Sequence, residues 1–149
     1  MAFIVTWKAV LQALMLRDYH PDYGEECVMV CVNPQPEFMA EHVQFRRDYS
    51  IKITNVQLLT KKAEQDSGDT KRESDIAAGR AAAEFLDWTD KTFLPGINDW
   101  FARLWSYGDD KFTSDDLAQI ERVDPHFLTW LKTRSIEMIE AHGSARKKV

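Results

Sequence analysis

Apolar side chains recur at helical spacing between residues 93 and 142, and this recurrence constrains the fold more than any other feature. Each apolar residue of the first group lies three or four positions from another, so the group shares one face of an α-helix. The group is Ile97, Trp100, Phe101, Leu104 and Trp105. Two further helices are predicted, over 114–122 and from 125 to about 141, and no strand is expected inside 114–141.

Residues at the ends of these segments have the side chains that helix termini prefer. Thr113 is followed three residues later by Asp116, which is an acidic form of the capping box. Asp124 precedes Pro125, so a capping carboxylate stands next to a proline at the first helical position. Gly143 is predicted to end the last helix in a left-handed conformation.

An earlier helix is predicted from Ser74 or Asp75 to about Asp90, and Leu94-Pro95-Gly96 is expected to break the chain after it. Its stripe consists of Ile76, Gly79, Ala83, Leu86 and Asp90. The small residues in this helix would allow another helix to approach closely. The predicted core of the helical region includes Trp100, Leu104, Leu131 and Met138.

The N-terminal part of the chain favours β-structure. Residues 1–16 fit either a strand or a helical stripe, or a strand over the first eight residues followed by a helical turn. Residues 20–24 are typical of a turn. Residues 27–32 are apolar on both faces, which predicts a central strand covered on both sides. Residues 42–53 alternate between apolar and polar side chains, and this alternation predicts an antiparallel strand with His42 on its wet face.

The run from Lys61 to Glu73 contains no large apolar residue, so we expect a linker or a loop. The predicted fold class is α+β, with a lobe of antiparallel strands over 1–60 and a lobe of about four helices over 75–149. Residues 61–74 would join them, and one compact domain overall is the alternative. At 149 residues the chain is long enough to bury a core without disulfides or metals.

The sequence contains no motif that singles out a catalytic, cofactor or metal site. A phosphate-binding glycine loop, a nucleophile elbow and a zinc-protease motif are all absent. The acidic run over 109–116 lacks the order of ligands that a calcium loop needs. Cys27 and Cys31 are expected to be free thiols in a reducing, cytoplasmic setting. The histidines are His20, His42, His126 and His142, and none lies near another.

These observations favour a protein that works by binding, without a cofactor, although an enzyme lacking the familiar motifs is kept as an alternative. The net charge of −5 argues against a general nucleic-acid binder. The apolar N-terminus is too short to span a bilayer and is read as part of the core, so no membrane partner is expected. Five tryptophans are many for this length, and aromatic residues are enriched at protein interfaces. Trp88, Trp105 and Tyr107 are the candidate interface residues because they flank the apolar stripes.

Four segments occur in an order found in a known family. They are Ala77–Trp88, Gly96-Ile97, the run Gly-Asp-Asp-Lys-Phe-Thr-Ser-Asp-Asp-Leu over 108–117, and Val-Asp-Pro-His-Phe-Leu over 123–128. This half of the chain, from residue 76 to 149, resembles small tail assembly chaperones of tailed bacteriophages. In that family a β-rich part precedes helices, an acidic turn with glycine, a Phe-Thr/Ser capped helix and a last helix opened by proline.

The resemblance implies a non-enzymatic protein of phage morphogenesis, either a tail assembly chaperone or a small structural adaptor. Its implied partner is a tape-measure or tail-tube subunit in the cytoplasm of the host cell, and the family has no catalytic residues to assign here. Two alternatives stay open. The chain could be a phage-encoded inhibitor that binds a host defence complex, and it could form a homo-oligomer.

Overall fold

Two short strands precede five α-helices in the part of the chain that the structure, a computed structural model, describes. That part is residues 6–147, with only the backbone of the last residue. The strands are β1 (Leu11–Met15) and β2 (Cys27–Cys31). The helices are α1 (Pro36–Gln65), α2 (Asp69–Trp88), α3 (Leu94–Trp105), α4 (Ser114–Val123) and α5 (Pro125–Lys147). The predicted α+β layout is therefore confirmed, with β-structure confined to the N-terminal end.

The strands form an antiparallel pair in which Leu11 lies opposite Cys31 and Met15 lies opposite Cys27. Two short 3₁₀ turns, Leu16–Asp18 and Pro21–Tyr23, join them, and the second confirms the turn predicted at 20–24. The strand predicted over 27–32 is confirmed as β2. Within the described residues the sheet has two strands, so the expectation of a central strand is wrong. The first residues of the N-terminal prediction lie outside the described part, and residues 6–10 have no regular structure.

The strand predicted over 42–53 is wrong, because these residues lie inside α1. The alternating pattern also contains helical spacing: Phe45 and Tyr49 are four residues apart and both are half-buried. Strand propensity depends strongly on what a side chain packs against, so packing can override it. His42 is 7% exposed instead of lying on a wet face. Burial, and then the charge of Arg46, lowers the pKa of its imidazole.

Most of the predicted linker is also helical. The run from Lys61 to Glu73 ends α1, turns at 66–68 and begins α2. Gly68 adopts a φ of +67°, which a glycine reaches without the steric penalty of other residues. Lys71 donates from its Nζ to the carbonyl of Ala63 at 2.8 Å and so ties the two helices together. Lysine, glutamate and glutamine are good helix formers, and this explains why a polar run can stay helical without burying much.

The predicted break at Leu94-Pro95-Gly96 is wrong, because a π-helical turn over Thr89–Phe93 leads directly into α3. The backbone N–H of Leu94 bonds to the carbonyl of Thr89, five residues earlier. A proline lacks an N–H and collides with the carbonyl four residues before it in an α-helix. The wider π turn relieves that conflict just before Pro95. Gly96 leaves room for a ring, since a Cβ built there would lie 2.6 Å from the ring of Phe45.

The helix starts predicted for α4 and α5 are confirmed. Thr113 accepts from the backbone N–H of Asp116 and Asp116 accepts from that of Thr113, which completes the capping box. Asp124 accepts from the backbone N–H of Phe127 at 3.1 Å. The prediction for Gly143 is wrong, because α5 continues to Lys147. The residues that follow this glycine include good helix formers, which offset its cost of about 1 kcal/mol.

The described residues divide into two units, each with its own internal contacts. Residues up to Met39 and from Asn98 onward form the first unit, and Ala40–Ile97 form the second. The predicted linker, 61–74, lies inside the second unit. The first unit holds the predicted core residues, all of which are confirmed as buried: Trp100, Leu104, Leu131 and Met138. Among the described apolar residues of the second unit, Ala63 and Ile97 are buried.

Candidate functional site

Trp105, one of the three predicted interface residues, lies in the core of the first unit and is 1% exposed. Its Nε1 donates to Oγ of Ser135 at 3.0 Å, and that oxygen donates to the carbonyl of Leu131 at 2.7 Å. The interpretation that Trp105 flanks the stripe is therefore wrong. Ala102, which lies outside the predicted apolar stripe, is buried as well, so α3 is buried around more of its circumference than that stripe alone implies.

Tyr107 is the predicted interface residue that stays accessible in the first unit, at 37% exposed. It follows the end of α3, and its ring meets the edge of Trp7 at a centroid distance of 5.7 Å and that of Phe38 at 6.4 Å. Burial of the phenol raises its pKa. The side chain is thus held by two aromatic neighbours and presents part of its surface outward.

Trp88 is half-buried in the second unit, at the end of α2. Its ring stacks on Phe93 at a centroid distance of 5.5 Å and lies 6.3 Å from Phe85. The ammonium of Lys52 lies 5.0 Å from the ring centroid, within the range of a cation–π contact. Trp88 belongs to the second unit and Tyr107 to the first.

One concavity of the first unit is a groove with a volume of about 700 Å³. It lies where α4 and α5 meet the second 3₁₀ turn. Its lining is Tyr23, Asp110, Lys111, Phe112, Asp116, Gln119, Ile120, Val123, Asp124 and Phe127. Five of these side chains are aromatic or aliphatic, and the volume is in the range of small-molecule sites. We call this concavity the α4–α5 groove.

Stacked aromatic rings build one wall of the α4–α5 groove. Tyr23 stacks on Phe127 with centroids 5.0 Å apart and planes 13° apart. Tyr19 supports Phe127 from a second side at 5.0 Å and contacts Trp130 at 5.4 Å. Phe127 is 8% exposed and forms the buried part of the wall, whereas Tyr23 is half-buried and has more of its surface open to solvent. This wall is preorganised, because its rings already touch one another in the unbound chain.

Three carboxylates and one ammonium group surround the apolar lining. Asp116 is held by the capping box, and Asp124 accepts from the Oη of Tyr19 at 3.3 and 3.4 Å. Burial, and after it the Asp124 carboxylate, raises the pKa of the Tyr19 phenol. Lys111 donates from Nζ to the carbonyl of Ser106 at 2.9 Å, which holds its position beside the groove. The α4–α5 groove therefore combines an apolar wall with excess negative charge.

Val123 is the least covered apolar side chain of the lining. It is 84% exposed at the last position of α4, beside the capping residue Asp124. An aliphatic side chain exposed to this degree in the lining of a groove is available for contact with a partner, and the aromatic wall lies on one side of that contact. Sequence reasoning missed the groove because Tyr23 and Phe127 are far apart in the chain. The acidic run over 109–116, which supplies Asp110 and Asp116 to the lining, was visible in the sequence but did not indicate a groove.

The described residues do not assemble a cluster of metal ligands. No group of three or more histidine, cysteine, aspartate or glutamate side chains is placed to hold a metal ion. Cys27 and Cys31 are free, and burial raises the pKa of the Cys31 thiol. Among residues 6–147, no helix combines the length and apolar character that crossing a membrane requires.

Comparison with protein-family models, with curated proteins and with solved structures finds no match to this chain.

Proposed function

We propose that this chain is a non-enzymatic protein-binding protein, and that the α4–α5 groove receives an apolar segment of its partner that carries basic residues. The observation that carries this proposal is the groove itself, in which a stacked aromatic wall and the exposed Val123 stand among three carboxylates. Aromatic pockets supply most of the affinity in protein interfaces, and charge complementarity selects the partner.

The proposed partner class follows from the family resemblance. Seven of the ten residues that line the groove fall in the segments 108–117 and 123–128, which carry part of that resemblance. We therefore propose a tail assembly chaperone or small structural adaptor of a tailed phage, acting in the cytoplasm of the host. Its partner would be a tape-measure or tail-tube subunit. A gene position beside a tape-measure gene would support this assignment.

The test is co-expression of the full chain with the tape-measure and tail-tube proteins of the same genome, followed by calorimetry of any complex. Val123→Lys removes an apolar contact and adds a positive charge, which opposes a basic partner. The variant should weaken binding by roughly tenfold or more, because a buried anchor typically contributes about 2 kcal/mol. Affinity for the parent chain should also fall as salt is added, since exposed charges are screened.

Leu58→Lys is the matched control, because Leu58 is 63% exposed in the second unit and does not line the groove. This control should bind like the parent chain. Equal loss in both variants would argue against the groove as the binding site. Capture of a host defence complex in place of tail proteins would favour the inhibitor alternative. A hydrolase or transferase activity abolished by changing one histidine or aspartate would overturn the non-enzymatic proposal.

A further inference from the structure

The face of α2 that points away from α1 carries a regular row of exposed residues, which we call the α2 seam. The seam is Arg72, Ile76, Gly79, Ala83, Leu86 and Asp90, with the last residue in the π turn that follows the helix. Its members follow one another at alternating intervals of four and three residues, as in the a/d seam of a coiled coil. Helices that pair side by side use this spacing.

The opposite face of α2 packs on α1. Lys71 bonds to the carbonyl of Ala63, and Phe85 meets the ring of Tyr49 at 5.3 Å. Ser74 donates to the carboxylate of Asp66, the residue that follows α1. Because these contacts lie on one side of α2, the seam is left on the other. Its aliphatic side chains are largely uncovered in this unit, with Ile76 54% exposed and Leu86 62% exposed.

The centre of the α2 seam is flat enough for a second helix to come close. Gly79 has no heavy atom within 4 Å of the position of a Cβ, and Ala83 one turn later is exposed. Large aliphatic residues stand on either side of this small pair. A partner helix can therefore rest its backbone near the centre while its own large residues pack against Ile76 and Leu86.

The seam also matches itself when it is reversed. In an antiparallel pair related by a two-fold axis, residues whose numbers have a constant sum lie opposite each other. Arg72 with Asp90, Ile76 with Leu86, and Gly79 with Ala83 each add up to 162. One symmetry operation thus places large side chains on large ones, small on small, and opposite charges together at both ends.

We infer that the α2 seam binds the α2 seam of a second copy of this chain and forms an antiparallel homodimer. We assign a second copy as the partner because the seam is complementary to itself in side-chain size and in charge. An unrelated helix would need the same pattern of sizes and charges to fit as well. The inference uses residues of the second unit alone. It is independent of the α4–α5 groove, so Val123→Lys should leave dimerisation unchanged.

Charge reversal tests the pairing. Sedimentation equilibrium of the full chain should show a monomer–dimer equilibrium. Arg72→Glu and Asp90→Arg each place like charges together at both ends and should weaken the dimer roughly tenfold. Combining the two substitutions restores opposite charges and should recover the parent affinity. Both positions are exposed, so circular dichroism should show unchanged helix content.

A second pair of variants tests the apolar part of the seam. Leu86→Asp should abolish the dimer, because it introduces a carboxylate opposite Ile76 of the second copy. Leu58→Asp is its matched control, since Leu58 is exposed to the same degree on α1 and should leave the dimer intact.

Cross-linking tests the orientation. In a Cys27→Ser background, a mixture of Ile76→Cys chains and Leu86→Cys chains should oxidise to mixed disulfide dimers. Ile76→Cys chains alone should not cross-link, because their two positions are offset by about 15 Å along the helix axis. A chain that stays monomeric at every concentration would overturn the inference. So would a dimer insensitive to Leu86→Asp, or one cross-linked by Ile76→Cys alone.

Discussion

Ser135 gives the buried indole N–H of Trp105 a hydrogen-bond acceptor inside the first unit. Its Oγ accepts from Nε1 of Trp105 and donates to the carbonyl of Leu131, and its side chain has no exposed surface. An indole N–H without an acceptor in the core would cost about 1–3 kcal/mol. A single hydroxyl therefore explains how Trp105 can lie in the interior, although its position beside the apolar stripe suggested a surface role.

Leu131→Ala should lower the free energy of unfolding by about 2–5 kcal/mol, because truncating a buried leucine leaves a cavity. Leu131 is 2% exposed in α5. Urea denaturation followed by tryptophan fluorescence measures the change. Leu58→Ala, at a position 63% exposed, should shift stability by less than about 0.5 kcal/mol. Equal midpoints for the two variants would show that Leu131 is not part of the core.

At the scale of elements, local signals decided which predictions succeeded. The start of α4 could be predicted because Thr113 and Asp116 cap each other within one turn, and the start of α5 because Asp124 precedes a proline. The helical state of residues 42–53 could not be predicted, because their pattern fits both the two-residue period of a strand and the 3.6-residue period of a helix. The packing of Phe45 and Tyr49 decides between the two. The α4–α5 groove depends on long-range stacking, which no local pattern records.

Two glycines inside helices should respond oppositely to alanine. Gly143→Ala should raise stability by about 0.5–1 kcal/mol, because α5 continues through this position and nothing lies within 4 Å of a new Cβ. Gly96→Ala should lower stability by about 1–3 kcal/mol, because the new Cβ would meet the ring of Phe45 at 2.6 Å. Thermal denaturation of both variants measures the signs. Destabilisation by Gly143→Ala would instead support a left-handed helix end there.

At the scale of the whole molecule, the two units differ in how their apolar residues are used. The first unit buries Trp100, Leu104 and Leu131, whereas the second leaves large aliphatic side chains exposed on both of its long helices. Those exposed side chains are Val43, Ile51, Leu58, Ile76 and Leu86. Helices gain most of their stability from packing an apolar face, so α1 and α2 are expected to open more readily than α5.

Native-state hydrogen exchange should resolve this difference. Amides of α2 should exchange faster than those of α5 in dilute solution, since few buried apolar contacts hold α2 in place. Raising the protein concentration should slow exchange in α2 and leave α5 unchanged, because binding to the folded form stabilises the segment that binds. Leu86→Asp should remove the concentration dependence without altering α5. Uniform protection across both helices, independent of concentration, would contradict the assignment of α2 as a surface that a second chain completes.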